Sequence, residues 1–210
     1  MFVVNGAGMV AFLQEALSSR PDVQIVEANH GIPLVRDLSG QENPHVWVSI
    51  FGAIQQVQNI GEQLARLDSN HATLYRANAS RYAARLDSLR TRMHAVLDPF
   101  AGTEIITFHE AFPYFAREFH LRIVAVVERE PGSEPSAGEL AKTVGIVRMH
   151  HVGALFAEPQ YPAKAAQTIA SETGIRVWSL DPAVTGPDDP EAYLHIMESN
   201  LIVLKEALAK

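Results

Sequence analysis

The sequence predicts an α/β protein with parallel sheets, made of a small N-terminal α/β piece, a long helix and a C-terminal α/β lobe. Short apolar runs alternate with helical patterns after Gly102, which is typical of a parallel sheet covered by helices on both faces. Only two such runs, residues 2–5 and 23–27, precede the helical region. The N-terminal lobe is therefore expected to be incomplete, because two strands and one helix make a marginal core.

The elements follow from local periodicity. A helix over residues 9–18 is predicted between the first two strands, and helical periodicity resumes over 46–67 and 72–97. At 1.5 Å per residue, the last of these helices spans roughly 40 Å, which suits a strut along or between two lobes. Beyond it, the predicted strands are 104–108, 122–127, 154–157 and 176–180, and the helices are near 111–118, 136–150, 162–173 and 190–208.

These elements divide the chain into three parts. Residues 1–45 form the partial N-terminal lobe, 46–100 contain the helices including the long one, and 101–210 form the C-terminal lobe. The closing helix is also able to pack back on the N-terminal lobe.

Composition restricts the kinds of partner and site. The formal net charge of -7 argues against a nucleic-acid partner, since the chain offers too little positive charge to neutralise phosphates. No run approaches the roughly 18 apolar residues of a transmembrane helix. The chain has no cysteine, so disulfides and thiolate metal ligands are excluded. Any metal must be held by histidine, carboxylate or water, and nine histidines keep that possibility open.

Three candidate metal ligands occupy comparable places, next to the ends of predicted elements. His45 precedes a helix, whereas His109 and Asp181 follow strands, and ligands of open α/β sheets bind at the carboxyl ends of strands. Two imidazoles and one carboxylate suit Zn²⁺, Mn²⁺ or Fe²⁺, with nitrogen-rich sites favouring zinc. The alternative for the histidines is a packed imidazole, and for Asp181 a surface cap.

Three further residues are candidates for the edge of such a site. Glu158 ends the strand over 154–157 and is able to orient a ligand, although it could equally satisfy backbone donors at a helix N-terminus. His30 follows the second strand. Glu110 adjoins His109, but the pair does not make a zinc-peptidase helix, because Pro113 occupies the position of the second histidine.

A competing motif lies at the N-terminus. Gly6-Ala7-Gly8 follows a strand and opens a predicted helix, and Glu27 ends the next strand, as in a dinucleotide-binding fingerprint. A nucleotide-dependent oxidoreductase of the NAD type is therefore an alternative function. Against it, the first strand is only about four residues long, and its sheet gains one further strand before the helical region.

Five segments carry a family resemblance, in order along the chain. They are Asn43-Pro44-His45-Val46-Trp47, Phe108-His109-Glu110-Ala111-Phe112-Pro113-Tyr114-Phe115, Glu134-Pro135-Ser136, Phe156-Ala157-Glu158-Pro159-Gln160 and Leu180-Asp181-Pro182. Together they resemble the zinc and manganese solute-binding proteins of metal ABC transporters, the high-affinity zinc uptake group in particular.

The resemblance implies two Rossmann-like lobes joined by a long helix, with one divalent metal in the cleft. It also implies an extracytoplasmic protein, in the periplasm or at the cell surface, that delivers metal to a membrane permease and is not an enzyme. His45 and His109 then correspond to metal ligands and Asp181 to the carboxylate position. Manganese-type members tend to carry glutamate where His109 stands, so Zn²⁺ is expected rather than Mn²⁺ or Fe²⁺. Surface adhesins of the same fold are a further alternative.

The resemblance also has departures. Members of the family begin with a signal peptide, two further strands and a segment with a first histidine ligand, whereas this sequence starts near the family's third strand. We therefore expect a site that lacks one ligand and binds metal more weakly. We also expect an exposed strand edge in the N-terminal lobe, with self-association through that edge.

Overall fold

A computed structural model describes residues 1–9, 19–36, 40–128, 135–161 and 163–209. These residues form two compact units, Met1–Arg90 and Thr91–Lys210. The expected three-part division into 1–45, 46–100 and 101–210 stays a prediction. Apart from Met9, the helix predicted over 9–18 lies outside the described residues, as does Glu134 of the third family segment.

The first unit contains a parallel two-stranded sheet, β1 (Phe2–Val4) beside β2 (Ile25–Glu27). Both strands are shorter than predicted, by one and two residues. The backbone N–H of Phe2 donates to the carbonyl of Gln24, and that of Ala28 to Val4. In a parallel ladder this pattern turns the peptide groups of Glu27 away from β1 and those of Val3 away from β2.

The outer edge of β2 is closed by a side chain. The backbone N–H of Glu27 donates to Oε1 of Gln63 at 3.1 Å, and Nε2 of Gln63 donates to the carbonyl of Glu27 at 2.8 Å. The side-chain amide therefore pairs with Glu27 as the peptide of a neighbouring strand would. Asn59, one turn before Gln63, donates to the carbonyls of Ala28 and His30.

The helix predicted to begin near Val46 begins later. A 3-10 turn, Val46–Val48, is followed by helix α1 (Ile50–Leu67). Ser49 separates the two because its extended backbone and its Oγ, which accepts from the N–H of Gly52 at 3.1 Å, make it the N-cap. The turn therefore stands apart from the helix and carries His45 at its start.

Helix α2 (Ala72–Leu97) has the bounds that periodicity predicts. Its stripe is fully buried at Leu86, Leu89, Met93 and Leu97. Nearer its start α2 lies close to α1, since a β-carbon added at Gly61 would lie 2.5 Å from the Cβ of Ala79.

The second unit is built on a four-stranded parallel sheet, as predicted. The strands are β3 (Glu104–His109), β4 (Arg122–Glu128), β5 (Ala154–Ala157) and β6 (Arg176–Ser179), and they lie in the order β4-β3-β5-β6. The helices are α3 (Pro113–Glu118), α4 (Ala137–His150), α5 (Lys164–Thr173) and α6 (Ala192–Leu208). All lie within about two residues of their predicted bounds, and Ser136 closes the start of α4 with a capping box to Glu139.

Strand alternation sets what each face of this sheet carries. Ile106 and Phe108 of β3 belong to the apolar core formed with α4 and α5. Thr107 and His109 alternate with them, so their side chains project from the opposite face. None of the described helices is long and apolar enough to cross a membrane.

Candidate metal centre

Three predicted site residues stand at the carboxyl ends of neighbouring strands in the second unit. β3 ends at His109, Glu158 follows β5, and Asp181 lies two residues beyond β6. In the pairing of β3 with β5, Thr107 lies opposite Phe156, and continuing this register by two residues brings His109 level with Glu158. This edge of the sheet therefore carries one imidazole and two carboxylates on three adjacent strands, which lie about 4.8 Å apart.

His109 is held in the interior of its unit. It ends one of the two central strands and is only 6% exposed. Its ring lies 5.5 Å from the ring of Tyr161, at an angle of 39°. Tyr161 also contacts Phe108, with ring centroids 5.7 Å apart. The imidazole is therefore positioned by strand and aromatic contacts, which suits a preorganised ligand as well as a packed core histidine.

Glu158 is a buried carboxylate, 3% exposed, beside this position. Its Oε2 accepts a hydrogen bond from Nε2 of Gln160 at 2.8 Å. Carboxylates are rarely buried this deeply unless they are paired or coordinate a metal. The arrangement fits a carboxylate that orients other groups at the strand edge.

Asp181 is fixed by its backbone. Its N–H donates to Oδ1 of Asn200 at 3.0 Å, and Nδ2 of Asn200 donates to its carbonyl at 2.7 Å. The carboxylate oxygen Oδ1 accepts from the N–H of Ala183 at 2.8 Å. Ala183 has a φ of +58°, a conformation that costs a residue with a side chain some strain. The turn after β6 is therefore held in one geometry, and Oδ1 is the carboxylate oxygen of Asp181 that bonds to the turn.

His45 belongs to the first unit and has a different support. Oδ1 of Asn43 lies 3.0 Å from the backbone nitrogen of His45 and 3.0 Å from its Nδ1. The imidazole also packs on Trp47, with ring centroids 5.3 Å apart. The half-buried ring is thus oriented from one side by an amide and from another by an indole.

The two remaining candidates have weaker settings. The side chain of His30 is exposed, and it is the carbonyl of His30 that bonds to Asn59. Glu110 is half-buried in the turn after β3. Across the described ranges, no three His, Asp or Glu side chains are grouped so that they could hold a metal ion. The assignment of His45, His109 and Asp181 as one ligand set therefore stays a prediction.

Sequence reasoning missed the amides that support these residues. Asn43 lies in one of the five family segments, but the sequence analysis assigns a supporting role to none of Asn43, Gln56, Asn59, Gln63 and Asn200. The signal available was spacing in α1: Gln56, Asn59 and Gln63 fall on one helical face.

The N-terminal glycine turn has a use other than nucleotide binding. A β-carbon at Gly6 would lie 2.8 Å from Cγ and 2.9 Å from Cδ of Glu27. The side chain of Glu27 thus occupies the space beside the turn, where the nucleotide hypothesis needs it free to bind a ribose. Gly6 is explained by its φ of +86° and by this close approach.

Comparison with known proteins identifies a family and several relatives of this chain. Residues 1–207 match the family described as "Zinc-uptake complex component A periplasmic". The high-affinity zinc uptake system protein ZnuA of Bacillus subtilis is 33% identical over 171 residues, which are 79% of this chain and 53% of that protein. The chain spans about half the length of the curated relatives it matches.

Solved structures of related proteins have the same fold. The solute-binding protein FpvC of Pseudomonas aeruginosa in complex with Mn²⁺ matches with a TM-score of 0.89 and 34% identity, over 99% of this chain and 78% of that one. The laminin-binding protein Lmb of Streptococcus agalactiae, described as having adhesin and metal transporting activity, matches with a TM-score of 0.87 and 27% identity, over 99% and 79%.

The fold and these matches define the class as a solute-binding protein, not an enzyme, and they give no support to the oxidoreductase alternative. The chain belongs to the ZnuA family, the periplasmic zinc-uptake component A. The expected α/β fold and the family resemblance are thereby confirmed.

Proposed function

We propose that this chain binds a divalent metal ion, Zn²⁺ before Mn²⁺ or Fe²⁺, as cargo for a metal ABC importer. His45, His109 and Asp181 are the proposed ligands, and Glu158 orients groups beside them. Capture and handover are the whole of the mechanism, with no covalent step. The proposal draws on membership of the ZnuA family and on the metal-related names of its relatives.

The observation that carries the proposal is the edge of the second sheet. Three parallel strands lie side by side, and His109 ends the first, Glu158 directly follows the second and Asp181 lies two residues beyond the third. The carboxyl edge of a parallel sheet is where α/β proteins bind their ligands. Imidazole nitrogen and carboxylate oxygen, without thiolate, make a donor set that Zn²⁺ accepts and that Mn²⁺ accepts less well as nitrogen content rises.

The test is calorimetric titration with Zn²⁺ and with Mn²⁺. We expect His109→Ala to weaken zinc binding, and His150→Ala to leave it unchanged. His150 is a matched control because its Nδ1 lies 2.9 Å from Glu104, the first residue of β3, whereas His109 is the last residue of that strand. Equal affinities for wild type and His109→Ala would remove His109 from the ligand set.

The carboxylate is tested in the same way. Asp181→Asn keeps an oxygen that can accept from the N–H of Ala183, but it removes the charge that a divalent ion needs. We expect weaker zinc binding in Asp181→Asn and not in Asp189→Asn, an exposed aspartate in the loop before α6. Unchanged affinity in Asp181→Asn would leave that coordination position to water.

Delivery implies a membrane permease as partner and an extracytoplasmic location, in the periplasm or at the cell surface. Both inferences rest on the family, whose description carries the word periplasmic. An adhesin-like role is the second candidate, favoured by the structural similarity to Lmb. Saturable binding of the chain to immobilised laminin would support it, and no binding at micromolar concentration would remove it.

We also propose self-association through the side of β1 that faces away from β2. Phe2 and Val3 are 38% and 49% exposed, Ile25 of β2 is 48% exposed, and the peptide groups of Val3 face away from β2. An exposed apolar strand edge is a template for pairing with another chain. Sedimentation should show dimers or larger species for the wild type and a shift to monomer in Val3→Lys. A wild type that stays monomeric at high concentration would contradict this.

A further inference from the structure

The two contacts that Asn43 makes with His45 allow the tautomer of the imidazole to be assigned. The backbone N–H of His45 lies 3.0 Å from Oδ1 of Asn43, and a peptide N–H can only donate. That bond identifies the contacting atom of Asn43 as the carbonyl oxygen, not the amide nitrogen, which resolves the usual ambiguity of an asparagine side chain. Nδ1 of His45 lies 3.0 Å from the same oxygen. Because this oxygen only accepts, Nδ1 carries the hydrogen and the lone pair of the neutral ring is on Nε2.

The side-chain amide of Asn43, which selects this tautomer, is itself held in place. Asn43 is 4% exposed, so its carboxamide cannot turn freely into solvent. The next carbonyl, that of Pro44, accepts from Nδ2 of Asn5 at 3.0 Å. Asn5 is oriented in turn by Nε2 of Gln56, which donates to its Oδ1 at 2.9 Å. Both the ring and the peptide before it are therefore positioned by amides of the first unit.

We infer that Asn43 is a positioning residue that presents Nε2 of His45 to the metal ion and strengthens it as a ligand less than a carboxylate would. Histidine ligands commonly donate their second N–H to a carboxylate, which raises the basicity of the metal-bound nitrogen. The neutral carboxamide of Asn43 orients the ring but adds no negative charge. Such an arrangement suits a cargo ion, which must be bound firmly and then released. This inference rests on the proposed function, because it takes His45 to be a ligand.

The first test reads the tautomer directly in the metal-free protein. Nitrogen chemical shifts of the His45 ring, from long-range ¹H–¹⁵N spectra at pH 8, distinguish Nδ1–H from Nε2–H. We expect Nδ1–H in the wild type and in Asn43→Asp, which keeps an acceptor at this place. In Asn43→Ala we expect the Nε2–H form that imidazole prefers in water. Asn78→Ala, an asparagine on the exposed face of α2, is the matched control and should leave the ring unchanged.

The second test measures zinc affinity and release in the same variants. Asn43→Ala should bind Zn²⁺ about 10–100-fold more weakly, the usual effect of losing a partner behind a histidine ligand. Asn43→Asp should bind at least as tightly as the wild type and release zinc more slowly, because the carboxylate raises the basicity of Nε2. Thermal unfolding of each variant checks that the first unit remains folded.

The outcomes separate the positioning role of Asn43 from the assignment of His45 as a metal ligand. A wild-type ring in the Nε2–H form, or a tautomer that Asn43→Ala does not change, would overturn the positioning role even if zinc binding depends on His45. Faster zinc release from Asn43→Asp than from the wild type would overturn the inference that a neutral amide at this position keeps the basicity of Nε2 low. If His45→Ala binds zinc like the wild type, the ligand assignment fails. The tautomer measurement then still decides what Asn43 does to the ring.

Discussion

The side chain of Asn200 pairs with the peptide groups of Asp181. Its Oδ1 accepts from the Asp181 N–H and its Nδ2 donates to the Asp181 carbonyl, at 3.0 and 2.7 Å. β6 lies at one edge of the sheet that the described residues form, and Asn200, on α6, pairs with the chain just beyond its end as a further strand would. The position of a candidate metal ligand therefore depends on a residue 19 positions away in the sequence.

Removing this amide should loosen both the fold and the site. Asn200 is 3% exposed, so Asn200→Ala leaves two backbone groups without their partner in a buried place, at a cost of about 1–3 kcal/mol in unfolding free energy. We expect weaker zinc binding as well, because the carboxylate of Asp181 loses its fixed base. Denaturant unfolding and calorimetry measure the two effects. Ser199→Ala, on the exposed side of α6, is the control, and equal loss of stability in both variants would contradict the assigned role.

A second prediction concerns Gly52 in the first turn of α1. A β-carbon there would meet the carbonyl of Val46 and lie 2.8 Å from its Cγ1. Gly52→Ala should therefore push the 3-10 turn away from the helix and displace His45, lowering zinc affinity. The gain in helix propensity, about 1 kcal/mol, would offset part of the clash.

The chain offers a matched control for Gly52. Gly145, within α4, has nothing within 4 Å of an added β-carbon. Gly145→Ala should raise the unfolding free energy by about 0.5–1 kcal/mol and leave zinc affinity unchanged. If Gly52→Ala behaves like Gly145→Ala in both measurements, the close approach of Val46 has no consequence for the site.

A third prediction concerns the contact of α1 with α2. Because an added β-carbon at Gly61 would lie 2.5 Å from Cβ of Ala79, Gly61→Ala should force the helices apart and destabilise by about 1–3 kcal/mol. Ala79→Gly opens the same space from the other side at a cost of about 1 kcal/mol in helix propensity. In a double-mutant cycle, the pair should be more stable than the sum of the single changes predicts. Strict additivity would mean that the helices adjust without strain.

A fourth prediction concerns pH. Hydrogen bonds from Arg76 to Glu62, at 2.8 and 3.0 Å, lower the pKa of that carboxyl from 4.5 to about 2, with Arg66 adding to the effect. Since the pKa is lower in the folded state, the stabilisation is fully present above pH 4.5 and is lost as the pH falls toward 2. The pair is exposed, so the effect should be small.

The measurement is the difference in unfolding free energy between wild type and Glu62→Gln, followed from pH 6 to pH 2. We expect the difference to stay constant above about pH 4.5, to shrink as the pH falls from there toward 2, and to be smaller at every pH in 1 M salt, which screens exposed pairs. A difference that stays constant over the whole range would show that the ion pair does not stabilise the folded chain.

Periodicity was enough to predict most of the fold. The alternation after Gly102 gave four parallel strands and their helices to within about two residues, and the apolar stripe gave both ends of α2. The position of His109 at a strand end followed from the same pattern. The later start of α1 depended on the Ser49 cap, which competes locally with the helical periodicity of Val46 and Val48.

The supporting amides could not be predicted, for a physical reason. Hydrophobic periodicity reports which side of a helix is buried, but a polar side chain gives no indication of the distant peptide it bonds. Gln63 reaches Glu27 over 36 positions, and Asn200 reaches Asp181 over 19. Asn43 bonds to His45, only two positions away. The sequence nevertheless does not show whether an asparagine at this position contacts Nδ1 of the histidine or only the backbone of a turn.

The Gln63 amide has one more consequence, for how the sheet of the first unit can be enlarged. By pairing with both peptide groups of Glu27, it occupies the hydrogen-bonding positions through which a new strand would join β2. Growth of this sheet is thereby directional, since Val3 of β1 still presents its peptide groups outward. Among the described residues, the outer side of β1 is therefore where a further strand could pair with this sheet.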